Sequence, residues 1–284
     1  MYSTPFQKQG SWYKGALHVH TTCSDGKLTP QQAANAYREQ GYHVLAVTDH
    51  DVITDLSALS DESFLSIPSV EVCYGKNEVG QGYHLVVLGV RAMVDLPRET
   101  DVHEAISSWR ASAGQEEGKP VLLLAHPYWS GMTCSEMMAL DGLAGLEIHN
   151  SSAYTDLGKG LSTVHWDQVL VRGKRWWGYA VDDVHWMRRN GRFGEAFRGW
   201  VWIKAKALEE NLILEALRQG DFYASSGPRI HDFCVQDGYA SVACSEVVTI
   251  NFSGHSQWGS QHEAVPGTTL TEAHDTARRV GLRY

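Results

Sequence analysis

The chain has no run approaching the roughly 18 consecutive apolar residues of a membrane span, and its opening segment MYSTPFQKQGSW has no apolar h-region. These absences lead to the expectation of a cytoplasmic protein that engages no membrane. Paired cysteines are also missing. The five present (Cys23, Cys73, Cys134, Cys234, Cys244) are odd in number and never spaced as CxxC, which argues against a disulfide framework or a zinc knuckle. No fixed-period repeat, low-complexity tract or block of like charge occurs, so solenoids and charged tails are excluded. Positive charge is scarce: 24 Lys and Arg against 33 Asp and Glu give a formal −9. That balance opposes a broad polyanion-binding surface and leaves room for a locally positive pocket.

What is present is an ordinary globular composition, 43% hydrophobic and 20% charged over 284 residues, long enough for a sizeable core. Apolar runs alternate with amphipathic or turn-rich segments to about residue 230. Strands are expected at 16–20, 44–50, 66–73, 84–90, 121–126, 145–150, 177–181 and 200–204. Several are near-continuous, such as VLLLAH and HLVVLGV, as suits a mainly parallel sheet buried on both faces. Helices are expected at 30–40, where Thr29 caps, Pro30 opens and Gly41 stops, and at 102–113, 135–140, 163–171 and 208–219. Seven or so β/α units predict an α/β barrel over residues 1–230. Beyond Pro228 the pattern turns to short β-like runs at 241–243 and 246–252 and a polar end at 282–284, predicting a small β appendage over 231–284.

The placement of the 14 histidines is the most informative feature. His18 and His20, two apart at a strand end, point to the same side and can reach one ion. Asp25 follows in the loop CSDGK, where Gly26 permits a tight turn. The second strand ends in TDHD with His50, the third near Glu71, the fifth at His126, and the seventh runs into Asp183 and His185. His84 breaks the pattern by opening its strand, so either that boundary is misplaced or the strand runs the other way. Six histidines and three carboxylates near the strand ends of a barrel exceed the needs of one tetrahedral zinc and suit two or three divalent ions sharing a bridging carboxylate, with Zn, Mn and Fe all compatible. Three such ions against Asp25, Glu71 and Asp183 leave a formal charge of about +3, attractive to anions within an acidic chain.

The ordered motifs HVHTTCSDGKLTP, AVTDHD, VEVC at Glu71, AHP at His126 and Asp183-Val184-His185 resemble the polymerase and histidinol phosphatase (PHP) family over roughly residues 14–230. The phrase FYASSGPRI is similar to a branch related to the CehA/McbA hydrolases. The resemblance implies a distorted (β/α)7 barrel with three metals: His18, His20, Glu71 and Asp183 at the first, Asp25, His50 and His185 at the second, Glu71, His84 and His126 at the third. It also implies attack on phosphorus by a metal-bridging hydroxide, with Asp25, Glu71, Asp183 and His185 as the catalytic set. Asp25, where some relatives carry histidine, resembles members acting on nucleotide and oligonucleotide phosphates.

The expected activity is therefore hydrolysis of a small anionic phosphorylated substrate, a nucleotide or nucleotide bisphosphate, with short oligonucleotide ends also admitted and no protein partner implied. Arg229, Ser226 and Arg198 are candidates to hold phosphate, Asn150 and His149 face the same cavity, and Trp129 and Trp186 are candidates to stack on a base. Asp49 and His165 are candidates to orient a ligand histidine. The rival readings are amide or carbamate hydrolysis on the same metal chemistry and a non-catalytic metal-binding module.

Overall fold

The computed structural model describes residues 4–112, 119–189 and 192–276. They form two compact units: Gly10–Ser226, and the described residues within Met1–Gln9 and Gly227–Tyr284. The barrel thus begins ten residues into the chain, and the segment before it belongs with the C-terminal strands. The end of the expected second helix at Ala113 and the polar end at 282–284 lie outside the described residues.

The larger unit is built on β1 (Ser11–Ala16), β2 (Val44–Val47), β3 (Leu65–Tyr74), β4 (Tyr83–Leu88), β5 (Val121–Leu124), β6 (Gly145–Asn150) and β7 (Trp177–Val181). A short ribbon follows, β8 (Arg188–Arg189) with β9 (Arg192–Phe193), then β10 (Trp200–Ala205) and β11 (Phe222–Ser225). Nine of these join in one sheet of order β11-β10-β1-β2-β3-β4-β5-β6-β7. The near-continuous apolar strands are buried along their whole length, as in VLAV of β2 and VLLL of β5, because both faces of the sheet are covered.

The sheet departs from all-parallel pairing at β4, which runs antiparallel to both β3 and β5, and at β10 and β11. The direction of β4 resolves the anomaly of His84: the beginning of a reversed strand sits beside the ends of its neighbours. At the other margin, β7 lies against β10 and β11. The chain leaving β1 also pairs with the chain leaving β7, with Val19 opposite Val184, His20 N–H donating to Val184 O and Asp183 N–H to His18 O. The barrel is closed there by the residues just past the strand ends. The first strand accordingly occupies 11–16, and His18 and His20 lie on its extension.

Around the sheet lie α1 (Pro30–Glu39), α2 (Val102–Ala111), α3 (Cys134–Ala139), α4 (Ser151–Leu157), α5 (Thr163–Val171) and α6 (Glu210–Gln219). Helix α1 starts as its sequence dictates, with Thr29 and Gln32 in reciprocal capping and Pro30 in the first turn. Helix α4 is the one the sequence did not announce. SSAYTDL has no apolar periodicity; the helix exists because the Asn150 side chain caps Ala153 N–H and Gly158 takes a left-handed stop. No helix among the described residues is long and apolar enough to cross a membrane. All five cysteines are free thiols.

The C-terminal unit holds a three-stranded sheet of β12 (Ile230–Gln236), β13 (Tyr239–Val247) and β16 (Leu270–Thr276), and a hairpin of β14 (Thr249–Ser253) and β15 (Gly259–Glu263). Its small core contains Ala240, Cys244, Ile250, Phe252 and Ala273. The run expected at 246–252 is divided at Val248 between β13 and β14.

In the barrel, α2 anchors one apolar cluster through Trp109, which is fully buried and donates its indole N–H to Tyr74. Trp109→Ala should lower the unfolding free energy by about 3–5 kcal/mol, the cost of deleting a buried indole, with metal content unchanged. Urea denaturation checks this, and a loss on the scale of a surface substitution would show that α2 contributes little to the fold.

Candidate metal centre

The nine residues singled out by sequence converge at the end of the barrel where β1 and β7 close it. Glu71, buried on β3, is the hub. Its Oε2 lies 3.2 Å from His18 Nε2, 3.3 Å from His20 Nε2 and 3.1 Å from His50 Nδ1. Its Oε1 lies 2.9 Å from His84 Nδ1 and 3.3 Å from His126 Nε2. One carboxylate thus faces five imidazoles, three on one oxygen and two on the other. Asp183 Oδ1 completes the deep side, 3.2 Å from His18 Nε2 and 3.1 Å from His20 Nε2. Asp25 stands at the mouth, 3.4 Å from His185 Nε2 and 3.7 Å from both His20 Nδ1 and His50 Nε2.

Three groups of donors lie close enough for each to surround one ion: His18, His20, Glu71 and Asp183; His20, Asp25, His50 and His185; and His50, Glu71 and His84, with His50 where His126 was expected and His126 beside the group through Glu71 Oε1. The donor set fits divalent cations for a reason internal to the cluster. His18 Nδ1 is 2.6 Å from Glu147 Oε1, so the neutral ring that donates there turns a bare Nε2 lone pair toward His20 Nε2, 3.1 Å away, and toward two carboxylate oxygens. Lone pairs and carboxylates facing one another underground require a cation between them, a proton or a metal.

Backbone geometry aims these side chains. The bridge of His50 with Glu71 carries the third ligand strand alongside the second. Gly26 turns the loop so tightly that a Cβ there would lie 2.6 Å from the carbonyl carbon of His20, which is why the loop bearing Asp25 needs glycine. Asp49 does not touch a ligand ring. It accepts from Thr21 N–H, Thr21 Oγ1, Ser24 Oγ and Thr54 Oγ1 and pins the loop after His20. His126 and Asp183 both have positive φ, +30° and +54°, a conformation that side chains adopt only where surrounding structure enforces it. Of their common restraint, Glu147 with Asn150, the sequence singles out Asn150 as facing the cavity and passes over Glu147, because a Glu three residues before an Asn carries no pattern.

The expected substrate residues fare differently. Trp129 lines the cavity, edge-on to His126 with ring centres 4.9 Å apart, and is 39% exposed. Trp186 is buried and donates to His20 O, so it buttresses the strand end instead of offering a stacking face. Asn150 is fully buried and engaged with Glu147 and Asp183. His149 packs on Tyr154 and His165 on Tyr128, neither within the ligand cluster. Arg198 donates its backbone N–H to Asp182, and neither it nor Ser226 lines the cavity. Arg229 belongs to the C-terminal unit, where its N–H donates to Ser245. Residues that do line the cavity, and that sequence reasoning passed over, are Lys27, Ser152, Ala153, Asp156, Leu157 and Met187. Four of them sit on α4, the unannounced helix.

Without metal, the cluster holds protons. Burial opposes charge on His20, but hydrogen bonds and attraction from Asp183 and Glu71 outweigh it and lift its pKa to about 9. His84 is similarly buried yet raised to about 10 by Cys73 and Glu71, and His18 is raised despite burial by Asp183, Glu147 and Glu71. Burial pushes the Glu71 and Asp183 carboxyls up, and the histidines more than reverse this, holding both below the usual range. Raised histidines stabilise the fold fully below their unfolded pKa of about 6.5 and lose that contribution as pH climbs through about 9 to 10. The depressed carboxylates act above their unfolded values and lose their contribution in acid. The metal-free protein should therefore lose thermal stability from pH 6.5 to 10, while divalent metal, displacing the protons, flattens that decline and releases protons on binding. Scanning calorimetry with and without chelator measures the first, titration in buffers of different ionisation enthalpy the second; a metal-free melting temperature independent of pH would contradict this electrostatic picture.

No protein-family model matches the chain. Among characterised proteins, it is 32% identical over 223 residues to the 5′-3′ exoribonuclease Rnm of Salmonella typhimurium, a match spanning 72% of each chain. It is 37% identical over 76 residues to the 5′-3′ exoribonuclease of Haemophilus influenzae, spanning 25% of this chain and 27% of that protein. Among solved structures, a two-domain protein of Bacteroides vulgatus described as containing a predicted PHP-like metal-dependent phosphoesterase shares the fold, with TM-score 0.52 and 15% identity over 94% of this chain and 87% of that one. With an extended relative of that kind, the shared barrel and a buried His, Glu and Asp cluster able to hold metals, the chain belongs to the PHP family of metal-dependent phosphoesterases.

Proposed function

We propose that the protein hydrolyses phosphoester bonds at the end of a short nucleic acid, with two or three divalent ions, Zn, Mn or Fe, held by His18, His20, Asp25, His50, Glu71, His84, His126, Asp183 and His185. The observation that carries this reading is the single carboxylate of Glu71 facing five imidazoles at the floor of a cavity of about 670 Å³, a volume within the range of about 300–1,000 Å³ common to ligand sites. The name 5′-3′ exoribonuclease carried by the relatives supports an RNA 5′ end over a free mononucleotide. The phrase FYASSGPRI, on β11 and the turn after it, supports a place near the CehA/McbA-related branch.

Divalent ions in these groups supply Lewis acidity and neutralise charge on the phosphoryl oxygens. The remaining work falls to the chain. Glu71 belongs both to the deep group with His18, His20 and Asp183 and to the group with His50 and His84, and Asp183 balances charge on the deep side. His185 donates from Nδ1 to the Asp183 carbonyl, 2.9 Å away, which turns its Nε2 toward Asp25 and the second donor group. At the mouth, Lys27 offers a permanent positive charge to an entering phosphate, while Trp129, Leu157 and Met187 present apolar surface to a base.

A second reading, amide or carbamate hydrolysis, is favoured by one observation. Among the described residues lining the cavity there is no arginine, and Lys27 is the one permanent cation.

The test is product analysis on 5′-phosphorylated RNA oligonucleotides, nucleotide bisphosphates and mononucleotides with Mn or Zn. Release of phosphate or of nucleotides, lost together with metal content in Glu71→Ala, is expected; turnover unchanged in that variant would remove the assigned site, and turnover of amides alone would select the second reading. Lys27→Ala should raise KM for phosphorylated substrates by roughly fivefold, about 1 kcal/mol, the scale of an exposed charged contact. Steady-state kinetics with an unchanged KM would place Lys27 outside the substrate path.

A further inference from the structure

Strand β6 carries two inward-facing polar residues at a spacing that a regular strand forbids. Glu147 and Asn150 are three apart and should point to opposite faces. A register shift against β7 between Glu147 and His149 inserts one residue, and both side chains end up fully buried on the same side. Every strong hydrogen-bonding atom of the pair is used. Glu147 Oε1 lies 2.6 Å from His18 Nδ1. Its Oε2 accepts the backbone N–H of His126 at 2.8 Å and the Asn150 amide at 2.8 Å. The same Asn150 Nδ2 donates to Asp183 Oδ2 at 3.0 Å, and its Oδ1 accepts from Ala153 N–H at 2.9 Å, which fixes the orientation of the amide.

We infer that the bulged Glu147–Asn150 pair is the positioning device of the metal centre, locking His18, His126 and Asp183 from three different strands into one arrangement. The inference rests on the reading that these residues hold divalent ions. Neither member reaches the cavity lining, so their role is to act through the ligands. Glu147 accepting from His18 Nδ1 selects the tautomer whose Nε2 lone pair faces Glu71 and Asp183. By accepting from His126 N–H it also restrains a residue held at φ +30°, and Asn150 fixes the one Asp183 oxygen that does not face the histidines.

The arrangement makes a specific substitution informative. In Glu147→Gln the amide must turn either its NH2 toward the two donors on Oε2 or its NH2 toward His18 Nδ1. The first opposes donors to donors. The second forces the His18 proton onto Nε2, where an ion would bind. Asn150→Ser keeps an oxygen to cap α4 but is too short to span Glu147 and Asp183.

Competition of the intact protein with a chromogenic chelator for Mn or Zn, alongside thermal melts of the metal-free form, tests the inference. Glu147→Gln is expected to weaken metal affinity by roughly 10- to 100-fold, Asn150→Ser by less in the same direction, and Trp109→Ala, which damages only the core, not at all. Unchanged affinity in folded Glu147→Gln, or in folded Asn150→Ser should the former not fold, overturns the inference, as does an equal loss in Trp109→Ala. Failure of the wild-type protein to bind either ion would instead overturn the proposed function on which it stands.

Discussion

A buried carboxylate surrounded by five imidazoles is unstable on its own terms, and much of this molecule's architecture follows from that. Glu71 has lost its water, and the histidines that replace it compete for the same two oxygens. In the absence of metal the balance is kept by protons, which is why burial fails to lower the pKa of His20 and His84 as it does that of His50. Divalent cations in the same positions concentrate more charge in less space. Occupancy by metal and protonation are then alternative solutions to one electrostatic problem.

The fold supplies what this arrangement demands. The candidate ligands arrive from just past the ends of β1, β2, β5 and β7, from inside β3 and from the start of the reversed β4. The barrel closes by pairing the extensions of β1 and β7, so closure and assembly of the site are the same event: Asp183 N–H binds His18 O, and His20 N–H binds Val184 O. Carboxylates that touch no ligand ring hold the surrounding backbone. Asp49 pins the loop after His20, and the buried Asp182 gathers the N–H groups of Phe197, Arg198 and Gly199. Several kinds of local irregularity, positive φ at His126 and Asp183 and the bulge in β6, cluster at this end of the barrel, where aiming side chains matters more than regular pairing.

The acidic net charge and the proposed anionic substrate are compatible because the cavity is a local field. Its permanent cation, Lys27, stands at the mouth, and the metal charge would lie at the floor. Beside Ser152 and Asp156, the apolar side chains of Trp129, Ala153, Leu157 and Met187 line the wall, a surface suited to a flat base next to the proposed phosphoester. The scarcity of basic residues along the cavity suits the proposed short segment of a nucleic acid better than a long polymer.

The nine ligand candidates were legible from the chain alone because their types and spacing are severe constraints: HxH on one strand face, TDH after a buried apolar run, a lone Glu inside another. The alternation of strands and helices was legible for the same reason, since burial on both faces writes itself as VLLL or VLAV. Tertiary structure decided the rest. The reversal of β4, helix α4, the burial of Asn150 and Trp186 and the part played by Glu147 depend on pairing between segments tens of residues apart, which leaves no local period to read. Periodicity records which face of an element is buried. It does not record which partner, across the barrel, a buried polar atom will find.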